Sequence, residues 1–273
     1  MNPHRWQSKP PRQRGSMPPE GRSASTSLHN FEIRILPFPR TGRTQVGRDI
    51  VIAPHSSAFR RRLARQIWFY RGCQILLSWP LRALFRTSVR GVHRIPKRGA
   101  VILASNHVSF LDGMLVAASI PRPVFYLSSA FLFRNRLSSF LLEVMGGQIP
   151  VGRQPGDTEE TVAAGIRLLE CGYALGIFPE GTRSPHGKLL AGQTGVALFA
   201  FLTGAPVLPV ALRGTYEAWP RHKRFPRLFR RTGVVIGDPL QVLKNPASAE
   251  DPKLRREFTD DVMLALAQLL HQP

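Results

Sequence analysis

The chain has 273 residues, 43% of them hydrophobic, and 38 Lys and Arg against 17 Asp and Glu, for a formal charge of +21. That length suits one α/β core, or one core with a tail, and so basic a surface attracts polyanions: nucleic acid, anionic lipid headgroups or an acidic carrier protein. The two cysteines, Cys73 and Cys171, match no metal or redox spacing, so a reducing setting is expected and a cysteine-built site is not.

Residues 1–57 are rich in Pro, Arg, Ser and Gly with little apolar periodicity, the composition of a disordered basic extension. Residues 1–65 hold thirteen Arg and Lys and three acids, about half of the whole chain's excess charge. No apolar run follows the first basic residues, so no secretory signal is expected, and Met17 is a candidate start. Phe31–Ile35 is a candidate short strand without an identifiable partner.

Over 58–92 the character changes. Leu63, Ile67, Tyr70, Leu77, Leu81 and Leu84 recur near helical spacing, with Trp68, Phe69 and Trp79 alongside. Arg71 and Arg82 interrupt the run, leaving an apolar stretch far below the roughly 20 residues a spanning helix needs. Pro80 is expected to kink or split the helix. Two readings stand: an amphipathic helix in the membrane interface, with Arg60, Arg61, Arg62 and Arg65 on phosphates, or a helix packed on the core.

The remainder alternates strand and helix. Ala100–Ala104 is a short apolar run, read as a buried strand, and leads into Asn106-His107. A helix is predicted from about Phe110 to Ser119, then strands at Pro123–Leu127 and Gln148–Val151. Asp157 caps a helix that runs through Leu169 and ends before Gly172. Strand Tyr173–Phe178, helix Gly192–Thr203 and strands Val207–Leu212 and Val234–Ile236 follow, and a last helix spans Pro252–Leu270. The fold class is therefore α/β, with a single largely parallel sheet flanked by helices.

His107 falls where a strand gives way to a helix, the edge at which ligand sites cluster in open α/β sheets. Asp112 follows within the first turn or so of that helix. A carboxylate there fixes the imidazole tautomer and leaves the other nitrogen free to take a proton. The plainer alternative is a helix cap made by Ser109 and Asp112. Farther on, Glu180-Gly181-Thr182-Arg183 directly follows a buried strand. Gly permits close backbone approach, and Arg can grip a phosphate by two hydrogen bonds. Glu180 would either pair with Arg183 or bond an acceptor hydroxyl. The alternative is a surface turn with an Arg–Glu ion pair.

Together these segments resemble the signature of the glycerolipid acyltransferases, the family that includes the 1-acyl-glycerol-3-phosphate acyltransferases. Asn106, His107, Ser109 and Asp112 fit its Asn-His-x-Ser-x-x-Asp block, and Phe178 to Ser184 fit its Phe-Pro-Glu-Gly-Thr-Arg-Ser block at every position. Gly147–Arg153 resembles a third block and Ala205–Val210 a fourth, in the family's order, so the likeness covers roughly residues 60–240. Departures occur at Ser128–Phe131, at Pro150, and at Gly192–Gly195, where a Lys is frequent.

The resemblance implies an acyltransferase α/β domain over 93–273. His107 would be the general base and Asp112 its partner. Glu180, Gly181, Thr182 and Arg183 would bind the acceptor, with Arg153 toward its phosphate. The acyl donor would be acyl-CoA or acyl carrier protein, with no metal or other cofactor. The acceptor would be 1-acyl-glycerol-3-phosphate, made into phosphatidate at the cytoplasmic face of a membrane by a peripheral or monotopic enzyme. Acylation of another lysophospholipid or lipid is the nearest alternative. An inactive basic protein that binds membrane or nucleic acid is the alternative from another class. Arg221–Arg231, six Arg and Lys among aromatics, is open to three readings: a solvated loop, a contact for anionic membrane or carrier protein, or a nucleic-acid contact.

Overall fold

The computed structural model describes residues 57–129, 147–151 and 158–271. Helix α1 (Ser57–Leu84) leads into edge strand β1 (Ser88–Arg90) and a short 3-10 turn. Then come β2 (Val101–Ser105), α2 (Leu111–Ser119), β3 (Val124–Ser129), β4 (Gln148–Val151) and α3 (Thr158–Glu170). β5 (Ala174–Ile177), α4 (Gly195–Thr203), β6 (Val207–Arg213) and the short α5 (Thr215–Ala218) follow. β7 (Gly233–Ile236), α6 (Pro246–Glu250) and α7 (Pro252–His271) complete the described chain.

One seven-stranded sheet has the order β1-β7-β6-β2-β5-β3-β4. Every pairing is parallel except β6 with β7. β2 lies in the middle and all five of its residues are buried, which is why its sequence reads as an unbroken apolar run. Its side chains alternate between two cores. Ile102 and Ala104 pack with Leu168, Phe199 and Phe258 of α3, α4 and α7. Val101 and Leu103 pack with Phe85, Leu111 and Leu115, on the side of α1 and α2. A period of two in the strand thus feeds two helical layers.

Two expectations change. Ser88–Arg90 pairs with β7, so the sheet begins inside the segment read as helical to residue 92. Pro80 does not split α1, which is assigned as one helix across it. Pro80 and Leu76, whose carbonyl loses its partner, both lie on the exposed side, where the loss costs least. Pro150 sits in β4, the outermost strand described on its side of the sheet, where a missing amide is tolerated. The expected strand at Phe31–Ile35, the Asp157 cap and Arg153 lie outside the described residues.

α1 packs its C-terminal half on α2, with Tyr70 buried and Gln74 donating to the carbonyls of Ala117 (2.7 Å) and Ile120 (2.6 Å). That side chain covers carbonyls left open at the end of α2. The opposite face is open: Trp68 is 81% exposed, Ile75 82% and Trp79 78%. No helix among the described residues is long and apolar enough to cross a membrane.

Candidate active site

The site lies at the C-terminal ends of three neighbouring strands, β5, β2 and β6. β2 delivers Asn106 and His107. Asn106 continues the ladder with its side chain: Nδ2 donates to the Leu212 carbonyl (3.0 Å) and Oδ1 accepts from the Leu212 amide (2.7 Å). The strand is thereby fastened to β6 one residue before the imidazole. Asn106→Ala strips a buried amide and carbonyl of their partners and is expected to cost about 2–4 kcal/mol of unfolding free energy, measurable by urea denaturation.

Asp112, wholly buried, turns one oxygen back onto the loop. Its Oδ2 meets His107 Nδ1 at 2.9 Å and accepts from the amides of Val108 and Ser109, both at 2.7 Å. One carboxylate oxygen therefore holds the imidazole and closes the turn before α2. The contact with the imidazole and the closing of this turn are thus a single geometry. Ser109 is drawn elsewhere: its hydroxyl donates to the Trp219 carbonyl (2.7 Å) and accepts from the Leu111 amide (3.1 Å), linking this turn to the segment after β6. With Nδ1 held by the carboxylate, Nε2 is the free nitrogen of a side chain that is 21% exposed.

The imidazole is also held by its face. It stacks on Phe178 at a centroid distance of 3.9 Å, and Phe178 stacks on Tyr126 at 5.1 Å. Gly176 makes this possible, because a Cβ there would lie 2.4 Å from the Tyr126 ring. Burial raises the Tyr126 hydroxyl far above its ordinary range, and the charges of Tyr70 and Asp112 add to this. Tyr126 is thus a neutral spacer behind the dyad. Sequence reading passed over it, since a Tyr in a strand is ordinary core.

The second segment follows β5. Phe178 to Gly181 forms a tight turn, closed by the Gly181 amide donating to the Phe178 carbonyl (3.0 Å). Gly181 has φ +69°, and a Cβ would fall 2.5 Å from the Gln193 amide group. A left-handed residue packed against a side chain calls for glycine. Glu180 is buried, and its oxygens are both used by backbone: Oε1 accepts from the His107 amide (2.7 Å) and Oε2 from the Leu190 amide (2.8 Å). This corrects the expected pairing of Glu180 with Arg183. Burial raises the Glu180 carboxyl above its usual range, while those two amides draw it back. The Ser184 amide returns a bond to the His107 carbonyl (2.8 Å), so the two motifs are laced together through the backbone of His107.

Arg183 is a cation with no ion pair among the described residues. Its guanidinium lies 3.7 Å from the Phe110 ring centroid, a cation–π contact, and its Nη1 is buried with no hydrogen-bond partner among the described residues. Burial, and then the nearby charge of Arg221, lower its pKa. An unpaired buried donor on a cation beside a second cation is a place for an anion. Gly181 and Thr182 are exposed on the same turn. No cluster of His, Cys, Asp or Glu among the described residues is arranged to hold a metal ion.

A family model described as Acyltransferase matches residues 86–213, which include β2, both motif turns and β6. This segment, just under half of the chain, is similar to the acyltransferase family. The chain is similar to the 1-acyl-sn-glycerol-3-phosphate acyltransferase of Borreliella burgdorferi, 30% identical over 145 residues that cover 53% of this chain and 57% of that protein. It is also similar to human 1-acyl-sn-glycerol-3-phosphate acyltransferase beta, 28% identical over 158 residues covering 55% and 56%. The protein of that name in Bacillus subtilis is 27% identical over 63% of this chain and 82% of its own length. The chain thus spans about half the length of several curated relatives it matches. The crystal structure of PlsC, the 1-acyl-sn-glycerophosphate acyltransferase of Thermotoga maritima, shares the fold: TM-score 0.53 and 21% identity over 80% of this chain and 85% of that one.

Proposed function

We propose that this acyltransferase moves a fatty acyl group from an acyl thioester, acyl-CoA or acyl carrier protein, onto the free hydroxyl of 1-acyl-glycerol-3-phosphate, giving phosphatidate. The observation that carries this reading is the unpaired, buried donor of Arg183 beside the His107–Asp112 pair. An imidazole–carboxylate pair suited to take a proton and a cation suited to bind an anion share one site, as a phosphorylated alcohol requires. Relatives named 1-acyl-sn-glycerol-3-phosphate acyltransferases agree with it.

His107 Nε2 takes the proton of the acceptor hydroxyl as the oxygen attacks the thioester carbonyl carbon. Asp112 Oδ2 holds Nδ1–H and stabilises the imidazolium that forms. The tetrahedral adduct then expels the thiolate, which receives the same proton, so an ester and a free thiol are the products. Arg183 binds the acceptor phosphate with Gly181 and Thr182 in the same turn, and Arg153 is assigned to that phosphate as well. Glu180 contributes indirectly, by fixing the backbone of His107.

The exposed Trp68, Ile75, Leu76 and Trp79 of α1 favour a peripheral or monotopic position on the membrane that holds the acceptor, with its cytoplasmic face as the side where the donor is available. The test is mass-spectrometric acyl transfer by the purified protein, pairing acyl-CoA and acyl carrier protein with glycerol-3-phosphate, lysophosphatidate and a panel of other lysolipids. Product with lysophosphatidate is expected. Product only with another acceptor would keep the chemistry and overturn the assigned acceptor.

A further inference from the structure

The basic, aromatic segment 221–231 enters the site above only through the charge of Arg221 near Arg183, yet the fold holds it firmly. At its start, Pro220 forms a bridge with Ser109, and the Arg227 amide returns to the Ala218 carbonyl (2.7 Å). Trp219 Nε1 donates to the Lys223 carbonyl (3.0 Å). At its end, the Phe229 amide donates to the Leu84 carbonyl (2.9 Å) and the Thr232 amide to the Phe85 carbonyl (3.1 Å). The loop is therefore tied at one side to the active-site turn and at the other to the last turn of α1.

What it presents outward is unusual for a loop so constrained. Phe225 is 72% exposed, Leu228 47% and Phe229 65%, and Phe229 adopts φ +60°, a conformation costly for a bulky residue. Six Arg and Lys interleave with these apolar side chains and no acid does. Exposed aromatics on a pinned backbone, with only cations and no acid among them in sequence, and tied to the end of a helix whose open face is apolar, have the chemistry of an interfacial lipid contact.

We propose that the 221–231 loop docks on an anionic lipid bilayer, inserting Phe225, Leu228 and Phe229 among the headgroups while its cations neutralise lipid phosphates. This deepens the proposed function, because a loop seated on the membrane and hydrogen-bonded to the Ser109–Trp219 segment brings the acceptor's own surface to Arg183. Nucleic acid and an acidic carrier protein are the other candidates for so basic a surface, and the test below separates them.

The full-length protein is sedimented with vesicles of phosphatidylcholine alone and of phosphatidylcholine containing phosphatidylglycerol, beside two variants. Arg224→Gln/Arg227→Gln/Arg230→Gln is expected to lose roughly a hundredfold in affinity for the anionic vesicles at low salt, each cation near such a surface being worth about fivefold. Phe225→Ser/Leu228→Ser is expected to lose the binding that survives high salt. Both should keep the wild-type melting temperature and wild-type turnover in detergent. Vesicle binding equal to wild type in both variants would overturn the proposal, as would unchanged vesicle binding with lost affinity for single-stranded DNA or acyl carrier protein. A protein that fails to acylate lysophosphatidate yet shows the variant-dependent vesicle binding would sink the acceptor assignment and leave the docking surface standing.

Discussion

His107→Ala is expected to lower kcat by about 10³-fold or more, roughly 4 kcal/mol of transition-state stabilisation, with the fold intact. The fold survives because the backbone bonds of residue 107 remain: its amide still reaches Glu180 and its carbonyl still accepts from Ser184. Asp112 keeps two amide donors, from Val108 and Ser109, so the turn does not open. Asp112→Asn offers a sharper comparison. Val108, Ser109 and His107 all converge on one oxygen of the acid, and an amide oxygen there still accepts from the two backbone groups. The amide carries no charge to stabilise the imidazolium, so activity is expected to fall by about 10²-fold or more while unfolding shifts little. Single-turnover transfer with lysophosphatidate, read beside thermal melting, checks both. Near-normal transfer by His107→Ala would remove the base assignment.

Arg183→Ala is expected to raise KM for lysophosphatidate about 10- to 150-fold, the equivalent of one charge-assisted hydrogen bond at about 1.5–3 kcal/mol. Arg183→Lys should recover only part of this, because the ammonium keeps the charge but loses the planar fork that stacks on Phe110. The discriminating measurement is the same substitution assayed on a dephosphorylated acceptor, monoacylglycerol. If Arg183 grips phosphate, the variants lose their penalty there and the preference for the phosphorylated acceptor collapses. A fall in kcat with KM unchanged on both acceptors would place Arg183 at the reacting centre instead.

Much of this protein is written locally. The strands at 100–104, 123–127, 148–151, 173–178, 207–212 and 234–236 were each legible as short apolar runs, and all appear within two residues of those bounds. They are legible because a sheet covered on both faces needs apolar side chains on both. Ser88–Arg90 was not, since three half-exposed residues show no periodicity and become a strand only by pairing with β7. Nor does anything local reveal that β7 runs antiparallel to β6, one strand in from the edge of a sheet otherwise built from parallel pairs. The continuity of α1 through Pro80 belongs to the same class, because its cost depends on which side of the helix faces away from the core.

The site divides in the same way. The pairing of His107 with Asp112 spans five residues and one turn, so spacing alone anticipates it. The sequence by itself determined the fold class and the meeting of His107 with Asp112, because each follows from local pattern or from residues a few positions apart. Only the tertiary structure decided that Glu180 serves the His107 and Leu190 amides and not Arg183, that Phe178 and Tyr126 back the imidazole, and that Arg183 keeps an unpaired donor. Those facts depend on β5 and β2 ending side by side, a contact between segments some seventy residues apart that no local pattern encodes.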